Sequence, residues 1–157
     1  MATTYSSAQV ATTYPTKLVQ SGVARYYGTF TWANAFVIDD IVKLIQLPPI
    51  PAGLLRVVGY YFETTRIDSN GAPALTVDIG YGGAAASTTN NLLLSANATI
   101  GRAAGLTQLN NLFNTGGYGM LVPAAGTTID VHILAAPATG VTSGTMKIGV
   151  DVAFDII

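Results

Sequence analysis

The chain of 157 residues has no cysteine, a single histidine (His132) and a single glutamate (Glu63). Without thiols, neither disulfide staples nor thiolate metal centres are available. Charge of either sign is scarce: charged residues make up 10% of the sequence, against about 25% in an ordinary soluble domain. Seven Lys and Arg face eight Asp and Glu, a formal net charge of -1, so no basic footprint points to nucleic acid or to an anionic membrane. Long hydrophobic runs are missing too. Hydrophobic residues reach 50% and mean hydropathy is +0.44, yet no stretch approaches the roughly 18 uninterrupted apolar residues of a membrane helix. The opening MATTYSSAQVATTYPTK lacks the basic start and apolar centre of a signal peptide. Such a chain has few charges to keep it apart from its neighbours. We expect much of its surface to be covered by partners; the alternative is a neutral surface rich in Thr, Asn and Ser, and exposed apolar area distinguishes the two.

What the sequence does contain is β-patterning, centred on the stretch from Leu47 to Gly82. The bend Pro48-Pro49-Ile50-Pro51-Ala52-Gly53 feeds an apolar run, Asp68-Ser69-Asn70-Gly71 makes a turn, and Leu75 to Tyr81 alternates apolar with polar. In the first run Leu54, Arg56, Val58, Tyr60 and Phe62 share one parity, and Leu55, Val57, Gly59, Tyr61 and Glu63 the other. Both faces are apolar, which predicts a strand that is central or covered by another subunit. Ala24 to Trp32 reads as a strand with Tyr26, Gly28, Phe30 and Trp32 on one face. Phe36 to Leu47 is ambiguous, because Ile41 and Ile45 are four apart as in a helix; Val and Ile content favours a strand entered after an Asp39-Asp40 turn. Ile129, Val131 and Ile133 alternate in Thr127 to Ala135, and Met146, Ile148, Val150, Val152, Phe154 and Ile156 do so in the last strand. Between Gly82 and Gly117 we expect a long excursion with short helical turns at Asn90 to Ala96 and within Gly101 to Phe113. Residues 1–22 are a loose tail or an extended arm ordered against a neighbouring subunit, ahead of a domain over residues 23–157. The sum is seven or eight strands in an all-β, antiparallel two-sheet sandwich of jelly-roll kind with one long crossover.

Candidate chemistry is thin. His132 lies two residues from Asp130 on one strand face, but a nucleophilic triad needs a serine against the imidazole, and sequence does not place Ser87, Ser95 or Ser143 there. One Glu among scattered Asp makes no glycosidase pair. Asp68-Ser69-Asn70-Gly71 starts like a calcium loop but lacks the later ligands, and a hairpin turn accounts for it. Gly80-Tyr81-Gly82-Gly83 and Gly116-Gly117-Tyr118-Gly119 lack the Lys-Ser/Thr ending of a phosphate loop. Asn97-Ala98-Thr99 fits a glycosylation sequon that has no secretory context. Tyr26, Tyr27, Trp32, Tyr60, Tyr61 and Tyr81 are a sugar-stacking platform or, more simply, core and interface anchors. No metal, cofactor or catalytic set emerges.

The chain resembles the capsid decoration, or cement, proteins of tailed bacteriophages. The resemblance rests on an order of segments: Asp40-Ile41-Val42-Lys43-Leu44, Leu47-Pro48 with Pro51-Ala52-Gly53, then Val57-Val58-Gly59-Tyr60-Tyr61-Phe62-Glu63-Thr64-Thr65 and Leu75-Thr76-Val77-Asp78-Ile79-Gly80-Tyr81-Gly82-Gly83. The segments Pro123 to Val131 and Gly144 to Val150 continue it, so that it spans residues 24 to 157. It implies a jelly-roll subunit, made in the host cytoplasm, that forms dimers or trimers on the outside of a phage head and clamps the major capsid protein. It implies no catalytic residue and no cofactor. From the arm and from the outward face of the Leu54–Glu63 strand, the expected subunit contacts are Tyr5, Val10, Tyr14, Leu18, Leu55, Val57 and Tyr61.

Overall fold

The computed structural model describes residues 1–7, 16–19, 23–47, 55–82, 94–102, 107–112, 120–121 and 127–154. Eleven strands run through them: β1 (Thr4–Ser6), β2 (Thr16–Val19), β3 (Val23–Trp32), β4 (Ile41–Gln46), β5 (Leu55–Thr64), β6 (Thr76–Tyr81), β7 (Leu94–Asn97), β8 (Thr107–Leu112), β9 (Met120–Leu121), β10 (Thr128–Ala135) and β11 (Gly144–Phe154). One sheet has the order β1-β4-β10-β6-β7, the other β2-β3-β11-β5-β8 with β9 also on β5. Setting aside the short β1, β2 and β9 leaves four strands per sheet, in the orders β4-β10-β6-β7 and β3-β11-β5-β8. Successive strands change sheets at every step except β6 to β7, the wrapped double Greek key of a jelly roll. Pairing is antiparallel apart from β1 on β4.

The core follows the alternation read from sequence. Tyr26 and Trp32 of β3, Val77, Ile79 and Tyr81 of β6, Ile129, Val131 and Ile133 of β10, and Met146, Ile148, Val150 and Val152 of β11 are all buried between the sheets. At one end the aromatic rings of Tyr5, Phe30, Phe36 and Trp32 pack in series, with centroids 5.5 Å (Tyr5–Phe30), 5.8 Å (Tyr5–Phe36) and 5.3 Å (Trp32–Phe36) apart.

Two segments whose patterns were ambiguous contain β-bulges. On β5, Asp151 pairs with Gly59 but Val152 pairs with Val57, so Val58 is extra. The parity flips there: Val57 is buried before the bulge, and Tyr60, Phe62 and Thr64 after it. The strand is apolar on both parities because its inward face changes parity midway, and it is central, between β11 and β8. On β4, Ile129 faces Ile45 while Asp130 faces Lys43, leaving Leu44 extra. Leu44 and Ile45 are both buried in consequence, and the inserted residue turns Ile45 inward while Ile41, four residues before it, is only half-buried.

The helical turns expected in the excursion are corrected by the structure. Leu94–Asn97 is strand β7 on β6, and Thr107–Leu112 is strand β8 on β5. Pairing with β6 and β5 satisfies the backbone groups on the inner side of both edge segments, and this tertiary gain overrides the helix-like spacing of Leu106, Leu109 and Leu112. The flanking parts of both expected turns, 90–93, 103–106 and 113, lie outside the described residues. The N-terminal segment supplies β1 and β2, which extend the two sheets beyond β4 and β3.

Two buried carboxylates hold the loops at one end of the sandwich. Asp68 is fully buried. Its Oδ1 accepts from the backbone N–H of Asn70 and Thr139, each at 3.1 Å. Its Oδ2 accepts from Ala74 (2.8 Å), Ala138 (2.9 Å) and Leu75 (3.1 Å). Asp40, also fully buried, accepts from Thr3 N–H on Oδ1 at 2.6 Å and from Val37 N–H on Oδ2 at 2.9 Å. Replacing Asp68 by Ala would take the acceptor from five backbone N–H groups, that of the buried Leu75 among them, and leave a cavity where the carboxylate was. We expect Asp68→Ala to cost about 3–5 kcal/mol in denaturant unfolding, against about 0.5 kcal/mol or less for the neighbouring exposed Ser69→Ala. A loss for Asp68→Ala as small as that of Ser69→Ala would refute its role as the loop staple.

Candidate interaction surface

The outer face of the six-stranded sheet is laid out by the register of β11 with its neighbours. Asp151 sits opposite Arg25, Gly149 between Tyr27 and Tyr61, and Lys147 between Thr29 and Glu63. The fork of Arg25 closes on Asp151, Nε to Oδ1 at 2.5 Å and Nη2 to Oδ2 at 2.6 Å. Lys147 Nζ lies 3.7 Å from Glu63 Oε1, and the Tyr61 hydroxyl donates to Glu63 Oε2. Every charge named here is thus compensated by its neighbour on the face. The ring of Tyr27, 46% exposed, lies over Gly149, where a Cβ would meet it at an ordinary contact distance of 3.5 Å. Tyrosine and arginine on a rigid sheet are the residue types that anchor protein interfaces.

The structure distributes the expected contact residues unevenly. Tyr61 is half-buried on this outer face. Val57 is fully buried inside the subunit, because the bulge turns it inward. Tyr5 is half-buried with its ring against Phe30 and Phe36. Leu18 pairs in register with Ala24, and Leu55 with Phe154. Val10 and Tyr14 lie outside the described residues. Tyr27, whose parity with Arg25, Thr29 and Thr31 sets it opposite the buried Tyr26 but which was not among the expected contacts, joins Tyr61 here.

The chemical candidates resolve into structural ones. His132 Nε2 lies 3.5 Å from Oδ1 of Asp39, an exposed carboxylate, and among the described residues no serine bonds to it. Asp68 has both oxygens aimed at N–H donors, the wrong polarity for a cation ligand. Burial pushes its pKa up, but the backbone bonds from Ala138, Thr139, Asn70 and Leu75 outweigh this and hold it well below the usual carboxylate range. Among the described residues no group of three or more His, Cys, Asp or Glu could hold a metal. Gly80 lies within β6, and a Cβ on Gly82 would fall 1.8 Å from Thr128 Oγ1, so that glycine serves close approach to β10. Asn97 of the sequon folds its Oδ1 onto the N–H groups of Thr99 (2.9 Å) and Ile100 (2.8 Å). Of the six aromatics of the sugar-platform reading, Tyr26, Trp32, Tyr60 and Tyr81 are buried.

One carboxylate is under-satisfied. Asp130 projects from the outward side of β10, yet is only 2% exposed, and its Oδ1 has no hydrogen-bond partner. Burial pushes its pKa up to about 6, against opposing contributions from the Thr128 hydroxyl and the Lys43 charge.

With the fold and this face established, solved structures that resemble this chain over most of its length include the following two. A chain of the structure titled "Capsid of Ralstonia phage GP4" superposes with a TM-score of 0.75 at 22% identity, over 98% of this chain and 99% of that one. A chain of the "Cyanophage Pam1 capsid asymmetric unit" superposes with a TM-score of 0.62 at 19% identity, over 88% of this chain and 93% of that one. At these identities the likeness establishes the fold. No protein-family model matches the sequence, and no curated protein matches it.

Asp130 gives a pH prediction. Its folded pKa, about 6, lies above its usual 3.8. Its contribution to stability is therefore fully present below about pH 4 and is lost as pH rises through 6, on the order of 3 kcal/mol. Asp68 runs the other way, stabilising at neutral pH and losing that contribution as pH falls, so the wild-type profile mixes the two. The difference between Asp130→Asn and wild type isolates Asp130. The variant should gain stability at pH 7.5 and little at pH 4 when unfolding is followed in urea. Equal differences at both pH values would remove Asp130 as the cause.

Proposed function

We propose that the protein is a non-enzymatic structural component of a tailed-phage virion, which decorates and stabilises the capsid exterior by binding the major capsid protein and copies of itself. The observation that carries this reading is the likeness of fold, over nearly the whole of both chains, to chains of two phage capsid structures. The charge-poor composition supports it from a separate direction, since a surface that few charges protect is suited to being covered. Self-association into dimers or trimers uses the outer face of the six-stranded sheet, with Tyr27 and Tyr61 as anchors. Because the ion pairs on that face are compensated in place, covering it strands no lone charge. The N-terminal segment remains a contact element in this reading: β1 and β2 extend both sheets on the side of β4 and β3, which is where an adjoining subunit would meet it.

The mechanism is area burial. A standard interface removes about 1,600 Å² from water, and repetition around a shell converts modest contacts into firm retention through effective concentration. When mixed with capsids purified without it, the protein should sediment with them and raise the temperature at which they release their genome. Failure of both, together with hits in a glycan screen, would replace this reading by that of a carbohydrate- or receptor-binding fibre module. Tyr27→Ala combined with Tyr61→Ala should leave the melting temperature within a few degrees but lower the oligomer mass in light scattering, by weakening self-association about tenfold or more.

A further inference from the structure

Asn70-Gly71 is the one Asn-Gly pair in the sequence. An asparagine followed by glycine is prone to attack on its own side chain, because glycine presents its backbone nitrogen with no side chain to shield it. Here Gly71 is exposed, and a Cβ placed on it would meet nothing within 4 Å. The nucleophile is open, so control of the reaction falls to the carboxamide of Asn70. The fold grips that group at both ends. Its Oδ1 accepts from Ala72 N–H at 2.8 Å, and its Nδ2 donates to Thr139 Oγ1 at 3.0 Å. The main chain of Asn70 is held as well: its N–H donates to Asp68 Oδ1 at 3.1 Å, and its carbonyl accepts from Arg66 Nη2 at 3.4 Å. Thr139 comes from the loop between β10 and β11 and is fixed by the same carboxylate oxygen, since Asp68 Oδ1 also accepts Thr139 N–H at 3.1 Å. The Thr139 carbonyl in turn accepts from Ser69 N–H at 2.8 Å and from the Ser69 hydroxyl at 3.2 Å. The amide and its clamp are two branches of the Asp68 staple.

We propose that Asn70 is a deamidation site which the closed loop end holds unreacted, and that conversion there is an irreversible record of loop opening. The chemistry needs no partner but water. The Gly71 nitrogen gives up its proton and bonds to Asn70 Cγ, the Cγ–Nδ2 bond breaks, and ammonia leaves with that proton. The succinimide ring so formed takes up one water and opens at either carbonyl, to aspartate or to a β-linked isoaspartate. Attack requires the carboxamide to turn its face onto the following nitrogen. An amide whose oxygen and nitrogen are both bonded in place cannot turn without breaking at least one of those bonds. The reactive geometry therefore belongs to the opened loop, and the rate follows the opening equilibrium. The change is lasting. In neither product is Nδ2 left to donate to Thr139. The β-linkage also adds a methylene to the main chain between the Asn70 N–H and the Ala74 and Leu75 N–H groups, all of which Asp68 holds. This site is independent of the function proposed above.

The test incubates the folded full chain at mildly alkaline pH beside a synthetic peptide of residues 66–75, and follows the amide-to-acid mass gain at residue 70 in digests. The peptide should convert about tenfold or more faster than the folded chain. Thr139→Val removes the hydroxyl and keeps the backbone bonds of residue 139; it should convert about threefold or more faster than wild type. Thr139→Ser keeps the hydroxyl and should convert at the wild-type rate. Thr139 is exposed, so both variants should melt within a few degrees of wild type. The peptide comparison uses the wild-type chain and stands whatever the variants do to folding. A folded chain that converts as fast as the peptide overturns the proposal. So does Thr139→Val at the wild-type rate, or Thr139→Ser as fast as Thr139→Val. Aspartate formed without isoaspartate would replace the attack of Gly71 by direct hydrolysis and overturn it as well.

Discussion

The pairing of β11 with β3 on one side and β5 on the other is the constraint on which the rest of the structure depends. Ten residues of β11 are in register with β3 and nine with β5. A slip of one residue would turn Met146, Ile148, Val150 and Val152 out of the core and bring Lys147 and Asp151 into it, which no neighbouring charge there would compensate. The same register sets the outer face, because it brings Arg25 to Asp151, Lys147 to Glu63, and both outward tyrosines to Gly149. Core and candidate contact face are two consequences of one ladder.

Several of the sparse charges serve the fold itself. Asp40 and Asp68 are buried as acceptors for backbone N–H groups, Asp78 accepts from Ala96 N–H at 2.6 Å, and Arg66 and Arg102 bond to backbone carbonyls. A jelly roll changes sheets at nearly every connection, so its loop ends hold many backbone groups that no ladder satisfies. Placing carboxylates there secures those groups and keeps the loops rigid. It also withdraws these carboxylates from the surface. Asp130 is the exception, a buried carboxylate with one oxygen unpaired, and its raised pKa follows from that.

Several elements were legible because a single physical signal fixed them. The alternation in β6, β10 and β11 placed their core residues, and the absence of cysteine, of charge runs and of ligand spacing left little room for chemistry. The jelly-roll class followed from many short apolar-alternating segments separated by turn residues. Less legible were β5 and β4, whose patterns mix two parities, and β7 and β8, whose leucine spacing imitates a helix. For the candidate sites, Tyr61 was placed on the outward face from sequence, whereas Val57 was assigned to the same face and lies in the core. Val37 and Ile38 precede the Asp39-Asp40 turn after which the strand was expected, and their exposure had no separate signal.

The sequence by itself determined the class of fold, the inward parity of the regular strands and the scarcity of charge, since each depends on local period or composition. Tertiary structure alone decided the two bulges, because an extra residue is defined only against the strand it faces. It decided that β7 and β8 are strands, since the edges they complete come from distant segments. And it decided that Asp40 and Asp68 are buried staples and not exposed turn residues, because the N–H groups that stabilise their charge lie as far away in the chain as Thr3 and Thr139.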